Sequence, residues 1–226
     1  VNILAIETAT QACAVGVRST IGREVVHVVN DDRRHTEVLT LAMSAILDEV
    51  GLEPRDVARV VVDRGPGLFT GLRVGIATAV AFAQALGCEL VGVTSLELLA
   101  RGAFDEGVRG KVVPCVDGRR GEVFVQTFTL DDEVVALNGP RVAVARDVVI
   151  EWATSGAPVT FTGDGVVRYS ADFDAVANGS VLDQSVPSLH AALSIGAQRD
   201  ADDVIAPLYL READAVANFT TRQRAT

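Results

Sequence analysis

The chain has 226 residues, of which 49% are hydrophobic, 22% charged and only 5% aromatic, so it buries an aliphatic core and is too apolar to be disordered. Thirty acidic against 20 basic residues give a net charge of −10, which excludes a freestanding nucleic-acid binder driven by bulk charge. At roughly 150 residues per domain the length fits one large domain or two small ones. Along the chain, Asn2 to Ile6 predicts a buried strand ended by the loop Glu7 to Gln11, and Ala12 to Arg18 and Glu24 to Val29 predict two more. Three short strands separated by turns read as an antiparallel meander. The spacing then turns helical from Thr36 to Val50, with Gly51 and Pro54 as stop signals. A strand over Arg59 to Asp63, a helix over Leu72 to Leu86, a strand over Glu89 to Val93 and a helix from Ser95 to Ala103 follow. Such a meander followed by crossovers gives one mixed sheet with flanking helices.

Phe104 to Gly110 is rich in glycine and charge and reads as a linker, dividing the chain into units of 1–105 and 106–226. The second unit opens with strands over Lys111 to Asp117 and Glu122 to Leu130. A strand near Val142 to Val144, a helix over Arg146 to Ser155, a strand over Pro158 to Thr162 and a last helix over Ser188 to Ala197 complete it, that helix being free to pack back on the first lobe. Residues 220–226 read as a polar tail. Cys13, Cys88 and Cys115 are odd in number and lack a C-x-x-C spacing, so reduced thiols and a cytoplasmic location are expected. No basic segment precedes Val1 to Ile6, so no signal peptide is expected. Val74 to Leu86 is too short to span a bilayer.

Three stretches have residue types suited to chemistry. Glu7-Thr8-Ala9-Thr10 places an acid and hydroxyls at a strand end, and Asp117-Gly-Arg-Arg-Gly-Glu122 does so in the second hairpin, with Gly163-Asp164-Gly165 as a third element. Glu7, Thr8 and Asp117 are thus candidates for binding a nucleotide, or plain turn formers. Arg119 and Arg120 either clamp an anion or solvate a hairpin tip. The run Arg64 to Arg73 contains Gly65, Pro66, Gly67 and Gly71, which permit close backbone approach ahead of a helix. It matches neither the Walker nor the dinucleotide spacing, so it is an anion-binding turn or a tight connection with Phe69 in the core. The helix over 72–86 is apolar all round and rich in small residues, so its second face needs a cover. Gly75, Ala79, Phe82 and Ala83, with Leu41 and Ala45 of the preceding helix, are the candidate partner interface. His27, His35 and His190 form no i, i+4 pair, so no metal site is expected. That pattern also disfavours a metallopeptidase.

Gly65-Pro-Gly-Leu-Phe-Thr-Gly-Leu-Arg-Val-Gly75 resembles the signature of the TsaB (YeaZ) family of tRNA threonylcarbamoyladenosine biosynthesis proteins; it includes Phe69, Thr70, Gly71 and Arg73. Ile3 to Thr10, His35-Thr36, Val91 to Glu97, Val116 to Val123 and Pro207 to Arg211 fit the same family in order. The resemblance implies a two-lobed actin-like/RNase H-like α/β fold with mixed sheets and flanking helices. It implies a non-catalytic scaffold or activator subunit that binds a TsaD-like catalytic subunit, with a TsaE-like ATPase in the assembly. It also implies a homodimer when alone, contact with tRNA only through the complex, no membrane, and no cofactor required by this chain, Mg-ATP or ADP being admitted in the complex. The competing reading is an autonomous actin-like-fold kinase or ATPase. Two departures stand out: Glu7 replaces the family's usual Asp, and its usual proline near Leu41 is missing.

Overall fold

The structure, a computed structural model, describes residues 1–29 and 35–211, with the backbone alone for residues 35–37. The side chains of His35 and Thr36 and the tail over 220–226 lie outside the described residues. In chain order the first unit is β1 (Ile3–Glu7), β2 (Cys13–Arg18), β3 (Glu24–Val29), α1 (His35–Val50), β4 (Arg59–Asp63), α2 (Phe69–Leu86), β5 (Glu89–Val93) and α3 (Ser95–Asp105). Its sheet runs β3-β2-β1-β4-β5, antiparallel through the meander and parallel across β1, β4 and β5.

The second unit comprises β6 (Gly110–Arg119), β7 (Glu122–Val125), β8 (Phe128–Leu130), β9 (Val134–Ala136), β10 (Arg141–Val144), α4 (Ala145–Ser155), β11 (Val159–Thr162), α5 (Asp164–Arg168), α6 (Ser170–Phe173) and β12 (Gly179–Val181). Its sheet runs β10-β7-β6-β11-β12, and β8 and β9 extend it from β6. The strand expected over Glu122 to Leu130 is broken at Gln126-Thr127, where Asn138 Oδ1 accepts the Thr127 N–H at 2.9 Å. β9, β12, α5 and α6 were not expected, being too short to show a period.

The last helix, α7 (Leu189–Gln198), returns to the first sheet. Both faces of β1 are therefore covered, which is why that strand is apolar along its length. Leu4 and Ile6 join Val60 and Val62 under α1 and α2. Ile3 and Ala5 join Val61, Leu189 and Leu193 under α7. α3 is the wedge between the two units: Leu98 packs with the α7 side, whereas Leu96, Leu99 and Ala100 pack with Val112, Val116 and Phe128 of the second sheet. Trp152, Phe161 and Phe173 fill the outer core of the second unit, where two of the rings meet edge to face at 5.0 Å.

α2 begins at Phe69, three residues before the expected start, and is long and apolar enough to cross a membrane by length and composition. Leu72, Ile76, Ala79 and Ala83 form its buried side, where it meets β4 and α1.

The seat of α7 depends on a missing side chain. A Cβ on Gly196 would stand 2.2 Å from Val61 Cγ2. Gly196→Ala is expected to lower stability by about 1–3 kcal/mol through overpacking, measured as a lower urea midpoint with an unchanged slope.

Candidate functional site

The C-terminal ends of β1 and β4 carry two acids, and the loops after them fold over both. Glu7 is wholly buried. Its Oε1 accepts the N–H groups of Ala9 (2.7 Å) and Thr10 (3.0 Å), and Oε2 accepts the Thr10 hydroxyl (3.2 Å). Asp63 is buried as well; its Oδ1 accepts the Gly65 N–H (2.8 Å) and the Ser95 hydroxyl (2.9 Å), while Oδ2 has no partner. Burial, and then the charge of Asp63, hold Glu7 well above the usual carboxylate range. Burial raises Asp63 to about 7 against those hydrogen bonds.

The Gly-rich run and the Glu7 loop form one knot. Leu68 N–H donates to Ala9 O (2.7 Å) and Ser95 N–H to Gly65 O (3.1 Å). The Gly65-Pro66 peptide is cis and Gly65 has φ +99°, a conformation suited to glycine. A Cβ on Gly67 would lie 2.2 Å from Ala9 O, so the loop closes on backbone and leaves no room for an anion there. Of the two readings of this run, the geometry supports the tight connection.

Thr8 is buried and donates to Gly71 O at 2.8 Å, and a Cβ on Gly75 would lie 2.2 Å from its hydroxyl. Glu7 and Thr8 are therefore held by backbone groups of the chain itself, as in the turn-forming alternative. Asp117 sits across the gap between the units. Its Oδ1 accepts Arg119 N–H (2.8 Å) and the Tyr169 hydroxyl (3.2 Å), and its Oδ2 pairs with Arg119 (3.3 Å) and Arg168 (3.4 Å). The Asp117 N–H donates to Asp164 Oδ1 at 2.9 Å, and burial raises Asp164 to about 6. Arg119, Arg120 and Gly121 have φ of +64°, +58° and +83°, so the hairpin tip is a left-handed turn. With its amide oriented to accept, Gln11 takes hydrogen bonds from the Arg119 guanidinium at 2.9 and 3.2 Å. A cleft of about 310 Å³ lined by Thr10, Gln11, Asp117, Asp164, Arg168 and Ser185 lies between the units. Since Glu7 and Thr8 are sealed and Asp117 is saturated, the three residues do not fit the phosphates of a nucleotide, and no chemical step is assigned through one.

Phe69 does not enter the core. It is 36% exposed, Tyr209 stacks on it at 5.1 Å, and the Arg73 guanidinium lies 3.7 Å from its ring centroid. Thr70 beside it is exposed, and Pro66 and Gly71 are buried. The expected interface is corrected in part. Gly75, Ala79 and Ala83 face the chain's own core, because three- and four-residue spacing puts them in line with Leu72 and Ile76. Phe82 is half-buried, whereas Leu41 is 71% exposed and Ala45 exposed. The outward side of α2 presents Arg73, Ala77, Ala81, Gln84 and Ala85, with Thr78 half-buried among them. Sequence reasoning missed Asp63, Ser95 and Tyr209. An acid closing an apolar strand was the available signal for Asp63, as it had been for Glu7.

Among known proteins, the family model described as TsaD, tRNA N6-adenosine threonylcarbamoyltransferase, matches residues 27–160. The Escherichia coli protein named tRNA threonylcarbamoyladenosine biosynthesis protein TsaB is 32% identical over 69% of this chain and 71% of its own length. The Bacillus subtilis protein of that name is 27% identical over 99% and 100%. The crystal structure of an uncharacterized Pseudomonas aeruginosa protein with similarity to peptidase YeaZ superposes with TM-score 0.80 at 28% identity, covering 93% and 99% of the two chains. With the strand order above, these matches carry the expected α/β class of two units with mixed sheets and flanking helices.

Ser95 links the buried acid to the loop, its hydroxyl lying 2.9 Å from both Asp63 Oδ1 and Pro66 O. Ser95→Ala is expected to cost about 1–3 kcal/mol, the range for stranding buried polar groups, read by urea unfolding with far-ultraviolet circular dichroism unchanged before the transition.

Proposed function

This chain belongs to the family described by the TsaD model and, within it, to the TsaB/YeaZ group, and from that premise we propose that it serves the synthesis of threonylcarbamoyladenosine in tRNA as a non-catalytic subunit. Its role is to dock a TsaD-like catalytic subunit, with a TsaE-like ATPase joining the assembly in the cytoplasm. Alone, it pairs with a second copy through the same helices. The observation that carries this reading is the division of polar and apolar groups at α2. Inward, the acids and hydroxyls of the signature region are committed to holding two loops. Outward, the helix offers small apolar side chains flanked by Phe69, Arg73 and Tyr209. Small residues allow close approach of a second helix, and an aromatic–Arg cluster is the composition enriched in interface anchors.

Depletion of the protein followed by mass spectrometry of tRNA nucleosides tests the pathway, and loss of threonylcarbamoyladenosine is expected. Persistence at normal levels overturns the reading. Turnover of ATP by the isolated protein, lost in Asp117→Asn, would favour the autonomous ATPase instead.

Ala77→Arg and Ala81→Arg are expected to abolish association in size-exclusion chromatography while leaving the fold intact. Ala79→Arg is expected to unfold the chain, because it buries an unpaired charge in the core.

A further inference from the structure

We propose that residues 207–211 form a coupling strap, through which a change at the Phe69–Arg73 cluster on the first unit is felt at the β6–β7 hairpin on the second, at the mouth of the interlobe cleft. The strap holds the first unit through two adjacent residues. Leu208 N–H donates to Arg64 O at 2.7 Å. The Tyr209 ring lies 5.1 Å from that of Phe69, and its hydroxyl accepts Arg73 Nε at 3.2 Å. The next two residues hold the second unit. Leu210 packs on the core that joins α3 to the second sheet. Arg211 Nη1 donates to Glu122 Oε2 at 2.6 Å, and Nη2 donates to Gly118 O.

This segment has no slack. At most about 7 Å of chain separates Tyr209 from Arg211. The chain is also fixed upstream: Ile205 is buried in the core of the first unit. Asp202 N–H donates to Leu90 O at 2.7 Å, and its Oδ2 accepts the Gly92 N–H at 2.7 Å. A displacement of Tyr209 therefore cannot be absorbed upstream and passes to Arg211. With one end seated, the other meets its site at high effective concentration, and it loses that advantage when the first end is freed. The two ends thus act as a unit.

Arg211 bears on the cleft because of what lies between its two partners. Gly118 and Glu122 flank the left-handed tip formed by Arg119, Arg120 and Gly121. Arg119 N–H donates to Asp117 Oδ1 at 2.8 Å, and its guanidinium reaches Gln11 of the first unit. Asp117 and Gln11 both line the cleft. The apolar wedge of α3 joins the units independently of the strap, so the strap governs the hairpin tip and not the attachment of one unit to the other. On the docking proposed above, a partner seated on the cluster reaches the cleft through this strap. The coupling itself belongs to the isolated chain, so it can stand where the docking fails.

Hydrogen–deuterium exchange of the full chain, read by mass spectrometry of its peptides, tests the coupling. Tyr209→Ala removes the strap's ring contact with the first unit, yet exchange over residues 118–125 of the second is expected to rise by about two- to fivefold, the worth of a part-exposed ion pair. Arg211→Ala is expected to give the same rise, and the double variant no more than either. Tyr209→Phe keeps the ring and is expected to stay closer to wild type than Tyr209→Ala. Ile21→Ala, at an exposed turn position, is expected to change nothing over 118–125. Unchanged exchange there in Tyr209→Ala overturns the proposal, as do additive effects in the double variant. A rise shared by β1 overturns it too, since that is a loss of global stability. If Tyr209→Ala does not fold, Phe69→Ala, which removes the ring beneath it, decides by the same criteria.

Discussion

Two carboxyl side chains lie in the dry end of the first sheet, and the loops around them are arranged by the need to satisfy them. A buried charge left without partners is far costlier than the marginal stability of a domain can bear. Glu7 therefore turns the chain back so that Ala9 and Thr10 present their N–H groups. Asp63 does the same with Gly65 and recruits Ser95 from the start of α3. The two turns then interlock, Leu68 onto Ala9 and Thr8 onto Gly71. The glycines follow from this crowding: Gly67 and Gly75 stand where any side chain would strike the backbone or hydroxyl of the Glu7 loop. A stretch that admits an anion- or nucleotide-binding reading in sequence is thus a structural joint between β1, β4, α2 and α3.

That joint sets the outer surface. With the N-terminal turn of α2 fixed from below, Phe69 and Arg73 project outward, where Tyr209 closes over them. Tyr209 belongs to the segment that also ties the two units together. Leu208 N–H donates to Arg64 O on the first, and Arg211 meets Gly118 O and Glu122 on the second. The same short strap therefore completes the aromatic cluster and spans the lobes. A partner gripping the cluster would bear on the segment that sets how the lobes sit.

The legibility of this arrangement in the sequence followed its physical cause. Strands and long helices of the first unit were readable because burial on one or two faces leaves a clear period. α5, α6, β9 and β12 were not, being three to five residues long. The role of Glu7 stayed open between two readings, because an acid after a strand has the same local sequence whether it faces a ligand or its own backbone. What decides between them is the position of Asp63, 56 residues away in sequence yet next to it in the sheet. The interface was half legible for a related reason. Small residues occupy both faces of α2, and only the seat of α1 and β4 tells which face is spent.

The acidic balance bears on the division of work within the proposed assembly. A surface that grips tRNA phosphates needs cations free of competing carboxylates. Here Arg18, Arg59, Arg141, Arg199 and Arg211 each sit on a glutamate, and Arg119 and Arg168 converge on Asp117. Trading these pairs for phosphates would expose Asp117, which is 4% exposed, to the cost of an uncompensated buried charge. The arginines of the interlobe cleft therefore serve the joint between the units rather than a polyanion. On the proposed reading, the phosphate-binding surface lies on the catalytic partner, and this chain contributes the apolar face that holds it.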